Sequence, residues 1–313
     1  MMQSLLVDNL KTYYFTNSGV VRAVDGVTFE LKKGESLGLA GESGSGKSTL
    51  ALSIMRILPS FAKIVSGRIL LDSIDILSIS EKDFNKSFRW KKISMIFQGA
   101  MNALDPVYNI RDQLYEILKY HNYKDRFEDR AKEVLEEVEL ESSVLNRYPH
   151  ELSGGMKQRV VIASSLLLKP NLLIADEPTT ALDVLVQAEI INLLKRLKRE
   201  GMSIMLITHD LAIISEIAEK ICIMYAGEIA EFGRAKDIYT KPMHPYTQAL
   251  IKAIPRLRGE KKLSYIKGSQ PNLIEPLEGC RFRDKCPYVM DVCKKTPPLI
   301  KSNDGYVRCW LYK

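Results

Sequence analysis

The residues best suited to chemistry are Gly41-Glu42-Ser43-Gly44-Ser45-Gly46-Lys47-Ser48-Thr49, which fit the phosphate-loop pattern G-x-x-x-x-G-K-[ST]. The glycines let backbone N–H groups wrap a phosphate, and a helix starting there adds partial positive charge. Lys47 is placed to reach the β- and γ-phosphates, and Ser48 to ligate Mg²⁺. Leu172-Leu173-Ile174-Ala175-Asp176-Glu177 is an apolar run ending in two acids. Asp176 would hold Mg²⁺ directly or through water, and Glu177 would polarise an attacking water as general base. Alternation along an extended segment would separate the two roles. In Leu152-Ser153-Gly154-Gly155-Met156-Lys157-Gln158, Ser153 is a good helix cap and Gly154 and Gly155 leave backbone open to a phosphate. That makes two phosphate-binding turns for one phosphate loop, which suggests that the second serves a nucleotide held by another subunit. Thr208-His209-Asp210 follows another apolar run. A lone strand-edge histidine is more often structural, but in this company His209 is a candidate sensor of the γ-phosphate.

These residues need elements to hold them. Residues 36–40 suit a buried strand before the loop and residues 49–55 a helix after it. Residues 1–35 alternate as antiparallel strands, residues 64–79 continue as strand, residues 80–92 are charged and helical, and residues 93–97 form a strand ending at Gln98. Residues 110–141 carry spaced apolar positions among charges, an amphipathic helical insertion in an α/β core. Then come a glycine turn, a helix, a strand at 172–175, a helix at 184–198, a strand at 203–207, a helix and a strand at 220–225. That alternation predicts a largely parallel sheet with helices on both faces. No internal repeat is visible. From about residue 234, Pro242, Pro245, Pro255, Pro271, Pro276, Pro287, Pro297 and Pro298 break the chain into short pieces. Residues 234–313 read as an appendage, with 268–279 its most loop-like part.

A chain of 313 residues with net charge +7 is ample for a core and suggests about two domains. Lys and Arg are spread along it, and the densest run, Lys195 to Glu200, suits a solvated helix face, so charge alone gives no support to nucleic-acid binding. No apolar run approaches a membrane span, and the first residues lack a basic n-region and an apolar h-region. The expectation is a cytosolic protein whose membrane role comes through a partner. Of five cysteines, Cys222 sits in an apolar strand run. Cys280, Cys286, Cys293 and Cys309 are spaced C-x5-C-x6-C-x15-C, which is neither a zinc ribbon nor a compact ferredoxin run. Structural disulfides are disfavoured in a cytosolic protein. Thiolate ligation of Zn²⁺ or of an iron–sulfur cluster is favoured, and spacing does not choose between them.

In order and type these elements resemble the nucleotide-binding subunit of ATP-binding-cassette (ABC) transporters over residues 1–240. Gly41 to Thr49 match Walker A, Leu172 to Glu177 Walker B, and Leu152 to Met156 the ABC signature, with Met156 where many members have Gln. Gln98 matches the Q-loop, Ala181-Leu182-Asp183 the D-loop and His209 the switch histidine. Tyr14, between Tyr13 and Phe15, falls where the family stacks an aromatic on adenine. The resemblance implies a P-loop NTPase (RecA-like) core with an antiparallel β subdomain, a helical subdomain at about 100–165 and a small cysteine-containing appendage, divided as 1–233 and 234–313. It implies ATP contacts from Tyr14, Gly41, Ser43, Gly44, Ser45, Gly46, Lys47, Ser48 and Thr49, and from Ser153, Gly154, Gly155 and Asp183. It implies Mg²⁺ on Ser48, Gln98 and Asp176, and catalysis by Glu177, His209, Lys47 and Gln98. A head-to-tail cassette dimer would sandwich each ATP between Walker A of one subunit and the signature turn of the other, and would drive membrane subunits between inward- and outward-facing states.

Leu104-Asp105-Pro106, His244-Pro245-Tyr246-Thr247 and the ending from Gly279 through Cys309-Trp310 are similar to the dipeptide/oligopeptide importer branch. That branch implies a second, related ATPase (a heterodimer, or else a homodimer), two permease subunits and an extracellular solute-binding protein, on the cytoplasmic face of the membrane. Some of its members carry oligosaccharides instead of peptides. Some hold a [4Fe–4S] cluster on such cysteines, which favours Cys280, Cys286, Cys293 and Cys309 as cluster ligands over zinc. The alternatives are a soluble ABC-class ATPase acting on nucleic acid or the ribosome, and a poorly hydrolysing regulatory cassette. Against the first stand one cassette and no long heptad run; against the second stand Glu177 and His209.

Overall fold

The computed structural model describes residues 3–254, 271–274, 276 and 278–313. The chain divides into two compact units, Met1–Ile76 with Leu206–Lys313, and Leu77–Met205.

The first unit opens with a long antiparallel hairpin, β1 (Gln3–Thr16) and β2 (Gly19–Lys32). Leu5, Val7 and Leu10 of β1 and Val24, Val27 and Leu31 of β2 are fully buried; the alternation changes phase between Val7 and Leu10, where the pairing register shifts. Every residue of β3 (Ser36–Ala40) is buried, and α1 (Lys47–Met55) buries residues on nearly all sides, so it is enclosed rather than striped. Thr12 of β1 and Ser53 of α1 share a buried hydrogen bond of 2.8 Å. β4 (Ala62–Leu71) and β5 (Ile74–Asp75) complete an antiparallel sheet of order β2-β1-β4-β5.

The second unit holds α2 (Glu81–Ser87), β6 (Ile93–Ile96), α3 (Ile110–Tyr120), α4 (Phe127–Glu137), α5 (Gly154–Leu166), β7 (Leu172–Asp176) and α6 (Val184–Arg199). β8 (Ser203–Ile207) then carries the chain back to the first unit. β6 and β7 pair in parallel, with Ile93 opposite Leu172 and Ile96 opposite Ala175. The helical insertion forms as its periodicity predicts. α3 buries Ile110, Leu114 and Leu118, and α4 buries Ala131, Val134 and Leu135. Each of the Ile, Leu and Val side chains contributes roughly 1.5–3 kcal/mol when buried. Arg130 of α4 is buried with them. Its Nε donates to Leu167 O at 2.8 Å and its Nη2 to Leu166 O at 2.7 Å, which satisfies carbonyls at the end of α5.

The first unit resumes with α7 (Leu211–Ile217), β9 (Lys220–Tyr225), β10 (Glu228–Arg234), α8 (Ala235–Thr240), α9 (Pro245–Ala253), β11 (Leu299–Ser302) and β12 (Gly305–Arg308). These strands and β3 run in the order β11-β12-β10-β9-β3. Between β3 and β9, both strands of the expected alternation, pairing is parallel as expected, whereas β10, β12 and β11, which lie beyond that alternation, pair antiparallel. The cause is local. Ala226 and Gly227, at φ 49° and 85°, make a two-residue turn that can only join antiparallel strands. The appendage is also less fragmented than its prolines suggest. β12 pairs with β10, Glu231 opposite Val307 and Phe232 opposite Tyr306, so the tail extends a cassette strand. Much of the stretch 268–279, including Gly268, lies outside the described residues, as does Pro255; its described residues carry no helix or strand. No helix among the described residues is long and apolar enough to cross a membrane.

Candidate nucleotide site

The loop between β3 and α1 is held in shape by its own contacts and by its neighbours. Gly46 has φ 103°, and a Cβ there would lie 2.0 Å from Ala23 O, so only glycine fits between loop and β2. Gly227 N–H donates to Ser45 O at 3.0 Å, which ties the loop to the β9–β10 turn. Lys47 is 8% exposed, and its Nζ donates to Gly41 O at 2.8 Å and Glu42 O at 2.9 Å. The ammonium is therefore held over the loop's own carbonyls. Ser43 and Gly44 are exposed at the rim, Ser48 is half-buried, and Thr49 is buried. Thr49 Oγ1 lies 3.0 Å from Tyr14 Oη, and the Tyr14 ring packs on Phe61 at 5.7 Å. Tyr13 instead donates to Asp25 at 2.8 Å, and Phe15 is exposed, so of the three neighbouring aromatics Tyr14 is the one bonded to the loop. Thr208 N–H donates to Leu39 O at 3.3 Å, so exposed His209 leaves β8 beside the strand that delivers the loop.

In the second unit, Gln98 and Glu177 leave the same end of the paired strands β6 and β7, each two residues beyond the Ile96–Ala175 pair. Asp176 is the last residue of β7 and is 3% exposed. Glu177 turns out at φ 50°, with Thr180 Oγ1 donating to its carboxylate at 3.2 Å. The two acids thus part at a backbone turn into the left-handed region, not through strand alternation as expected, and a glutamate held there is a strained arrangement. Ser153 caps α5, its hydroxyl accepting from Met156 N–H at 3.3 Å. Asp183 caps α6, accepting from Leu185 and Val186 N–H at 3.1 Å. The two caps are neighbours, because a Cβ on Gly155 would lie 2.8 Å from Val186 Cγ1. A Cβ on Gly154 would meet nothing closer than 3.9 Å within the chain. The protein's own packing requires glycine at 155 but not at 154.

The residues divide between the units: Tyr14, the loop from Gly41 to Thr49 and His209 belong to the first, and Gln98, Ser153 to Gly155, Asp176, Glu177 and Asp183 to the second.

The tail cysteines depart from expectation. All four are free, and among the described residues no group of three or more His, Cys, Asp or Glu is arranged to hold a metal. The thiols do sense one another. Burial pushes Cys280 up to about 11, and Cys293, Cys309 and Cys286 push it further the same way. Burial likewise raises Cys286 and Cys309. Neutral thiols need no ion to balance them. Cys222, in β9, is fully buried as expected, and burial raises its thiol strongly.

Three buried side chains make contacts that the sequence does not announce. Tyr246 Oη accepts from Glu42 N–H at 2.9 Å. Buried Arg281 bonds to Ala226 O and Asp25. Glu231 accepts from Met243 N–H at 2.8 Å and His244 N–H at 2.9 Å. The one signal in the sequence is the run His244-Pro245-Tyr246-Thr247, which marks the branch but names no bonding partner.

Comparison with known proteins agrees with this geometry. Residues 24–180 match the ABC transporter family, and residues 230–293 match the family described as the C-terminal region of oligopeptide/dipeptide transporters. The oligopeptide transport ATP-binding protein AppD of Bacillus subtilis is 46% identical over 322 residues, covering 100% of this chain and 98% of AppD. The dipeptide transport ATP-binding protein DppD of Bacillus subtilis is 44% identical, covering 99% of this chain and 95% of DppD. Among solved structures, the dimeric post-hydrolysis state of the ATP-binding cassette MJ0796 bound to ADP and Pi is 30% identical with a TM-score of 0.66, covering 74% of this chain and 98% of that one. From phosphate loop to C-terminal region, the chain belongs to the ATP-binding subunits of ABC transporters, in their oligopeptide and dipeptide importer branch.

Proposed function

We propose that this chain hydrolyses MgATP with the residues its family resemblance marks, and that hydrolysis powers uptake of peptides rather than oligosaccharides. The observation that carries the reading is the preformed loop, with Lys47 Nζ already held over Gly41 O and Glu42 O. Lys47 and the loop N–H groups bind the β- and γ-phosphates, and Tyr14 stacks on adenine. Mg²⁺ would supply charge neutralisation on the phosphates, with Ser48, Gln98 and Asp176 as its residues. Burial of Asp176 at a strand end suits that donor set. Glu177 orients and deprotonates water, His209 stabilises developing charge, and Gln98 couples the site to the permeases. Ser153, Gly154, Gly155 and Asp183 act on a nucleotide held by a second cassette; the open space at Gly154 supports this. The peptide class is supported by the C-terminal family match and by the relatives AppD and DppD.

Members of this family work as paired cassettes on membrane permeases. For this chain the partners are a second, related ATPase, two permease subunits and an extracellular solute-binding protein, and the chain sits peripherally on the cytoplasmic face. The boundary between cassette and extension falls near 233/234. The test is co-expression with the two permeases and the second ATPase, followed by reconstitution. Peptide-stimulated ATP hydrolysis supports the reading, whereas stimulation by oligosaccharide and not peptide contradicts the solute class.

The four tail cysteines are a reserve for a [4Fe–4S] cluster in preference to zinc. Their number, their thiol chemistry and their mutual electrostatic influence support this, and the thiols would have to be deprotonated to hold it. Iron and sulfide in anaerobically purified protein support the cluster, and stoichiometric zinc without iron rejects it.

A further inference from the structure

We propose that Tyr246, in the C-terminal extension, is a positioning residue of the phosphate loop, so that packing of the extension sets the affinity for ATP. The proposal rests on the reading of Gly41 to Thr49 as the ATP phosphate loop.

The geometry centres on one peptide unit. The bond between Gly41 and Glu42 is trans, so its C=O and N–H point in opposite directions. The carbonyl accepts from Lys47 Nζ at 2.8 Å, and the N–H donates to Tyr246 Oη at 2.9 Å. The phenol of the extension and the phosphate-binding ammonium therefore pull on two ends of one rigid plane. Bonds in series through such a plane polarise one another and fix its orientation.

Tyr246 is itself immobile. It is fully buried, and its backbone N–H donates to His244 Nδ1 at 3.0 Å, which caps α9. Its ring lies 4.6 Å from Tyr225 and 5.5 Å from Phe282, and Tyr225 meets Phe282 edge-on at 5.2 Å. Phe282 stands between Cys280 and Cys286 in the tail. Next to it, buried Arg281 bonds to Ala226 O, in the turn whose Gly227 N–H holds Ser45 O. Two routes thus run from the cysteine tail to the loop, one through rings to Glu42 and one through Arg281 to the turn behind Ser45.

Without the hydroxyl, the Gly41–Glu42 plane loses its outer restraint and the empty loop samples orientations that do not receive phosphate. Apparent affinity falls by the fraction that remains competent. Once ATP is bound, its phosphates restore the loop, so turnover at saturation is preserved. A positioning role therefore separates KM from kcat, whereas a purely structural role would remove active protein and lower kcat alone.

The experiment uses the complete reconstituted transporter and measures ATP hydrolysis against ATP concentration for Tyr246→Phe, Phe282→Leu and Lys47→Ala. Tyr246→Phe is expected to raise KM about tenfold with kcat within about twofold. Phe282→Leu, which keeps the hydroxyl but loosens its seat, is expected to raise KM about threefold. An unchanged KM in Tyr246→Phe overturns the proposal, as does a fall in kcat at unchanged KM. Should Tyr246→Phe fail to fold, Phe282→Leu decides, and an unchanged KM there overturns the proposal. Lys47→Ala separates the two levels: if it binds ATP normally, the loop reading fails, and if it abolishes binding while the other two behave as native, only the role of Tyr246 fails.

Discussion

Gly155 and Val186 hold the starts of two helices together at a spacing that no β-carbon allows: a Cβ at 155 would lie 2.8 Å from Val186 Cγ1. The same turn carries Gly154, whose Cβ would find its nearest neighbour at 3.9 Å. The contrast yields two expectations. Gly155→Ala forces α5 and α6 apart at a cost of about 1–3 kcal/mol, visible as a lowered unfolding midpoint. Gly154→Ala leaves that midpoint unchanged but is expected to lower ATP hydrolysis of the assembled complex by at least about tenfold, because on the proposed reading the space it fills receives the phosphate of a nucleotide held by a second cassette. Thermal melts and steady-state ATPase of both variants check this, and native activity in Gly154→Ala would remove the argument for a phosphate there.

Arg130 satisfies two backbone carbonyls at the end of α5. Arg130→Met deletes both hydrogen bonds to Leu166 O and Leu167 O and is expected to destabilise the second unit by about 2–4 kcal/mol. Its ion-pair partners Glu133 and Glu137 are part-exposed and can return to solvent, so the orphaned carbonyls account for most of the loss. Urea unfolding of the native and Met forms measures it, and equal midpoints would contradict it.

The proposed nucleotide site is legible in the sequence because it is written in short, contiguous patterns. A glycine loop with Lys47, an apolar strand ending at Asp176 and a capped turn at Ser153 each announce themselves within a few residues. The strand–helix alternation around them follows from period alone. What stayed hidden depends on long sequence separation or on one dihedral. The antiparallel run from β9 onward hinges on the Ala226-Gly227 turn. The separation of Asp176 from Glu177 hinges on φ 50° at Glu177. The bond from Tyr246 to Glu42 spans 204 positions, and neither residue's type predicts the other. The prolines of the tail suggested fragments, yet the β11–β12 hairpin joins β10 because Val307 and Tyr306 find Glu231 and Phe232 opposite them.

Acid is expected to loosen the extension. Burial lowers His244 from its ordinary value to about 3, against an opposing hydrogen bond with the Arg308 backbone. The unfolded chain takes up this proton near pH 6.5 and the folded chain only near pH 3, so the unfolded state binds more protons between them. Stability from this group is therefore full above about pH 6.5 and lost progressively as pH falls toward 3. The neutral Nδ1 also caps α9 through Tyr246 N–H, so the same proton would break the cap. Denaturant midpoints measured from pH 7 to 4 are expected to fall less steeply in His244→Asn than in the native protein. Parallel slopes would assign the acid sensitivity to other groups.

Asp25 adds a second acid-sensitive contact at lower pH. Burial pushes its carboxyl up, but the Tyr13 hydroxyl, Arg281 and Lys11 outweigh burial and hold it below the usual carboxylate range. Its contribution is present above the unfolded value near 3.9 and is lost as pH falls through the lower folded value. Asp25→Asn keeps the shape and removes the charge that anchors Arg281. It is expected to lower the neutral-pH midpoint and to flatten the dependence below pH 4, which denaturant titrations at pH 7 and pH 3.5 compare. An unchanged midpoint at pH 7 would contradict the anchoring role.

The most direct test of the account is ATP turnover by the assembled transporter carrying Glu177→Gln. The account predicts that ATP still binds, with affinity within about threefold of native, while turnover falls by at least about a hundredfold, because the base is gone and the loop around Lys47 is intact. Native turnover in that variant would contradict the assignment of Glu177 and, with it, the proposed hydrolytic mechanism.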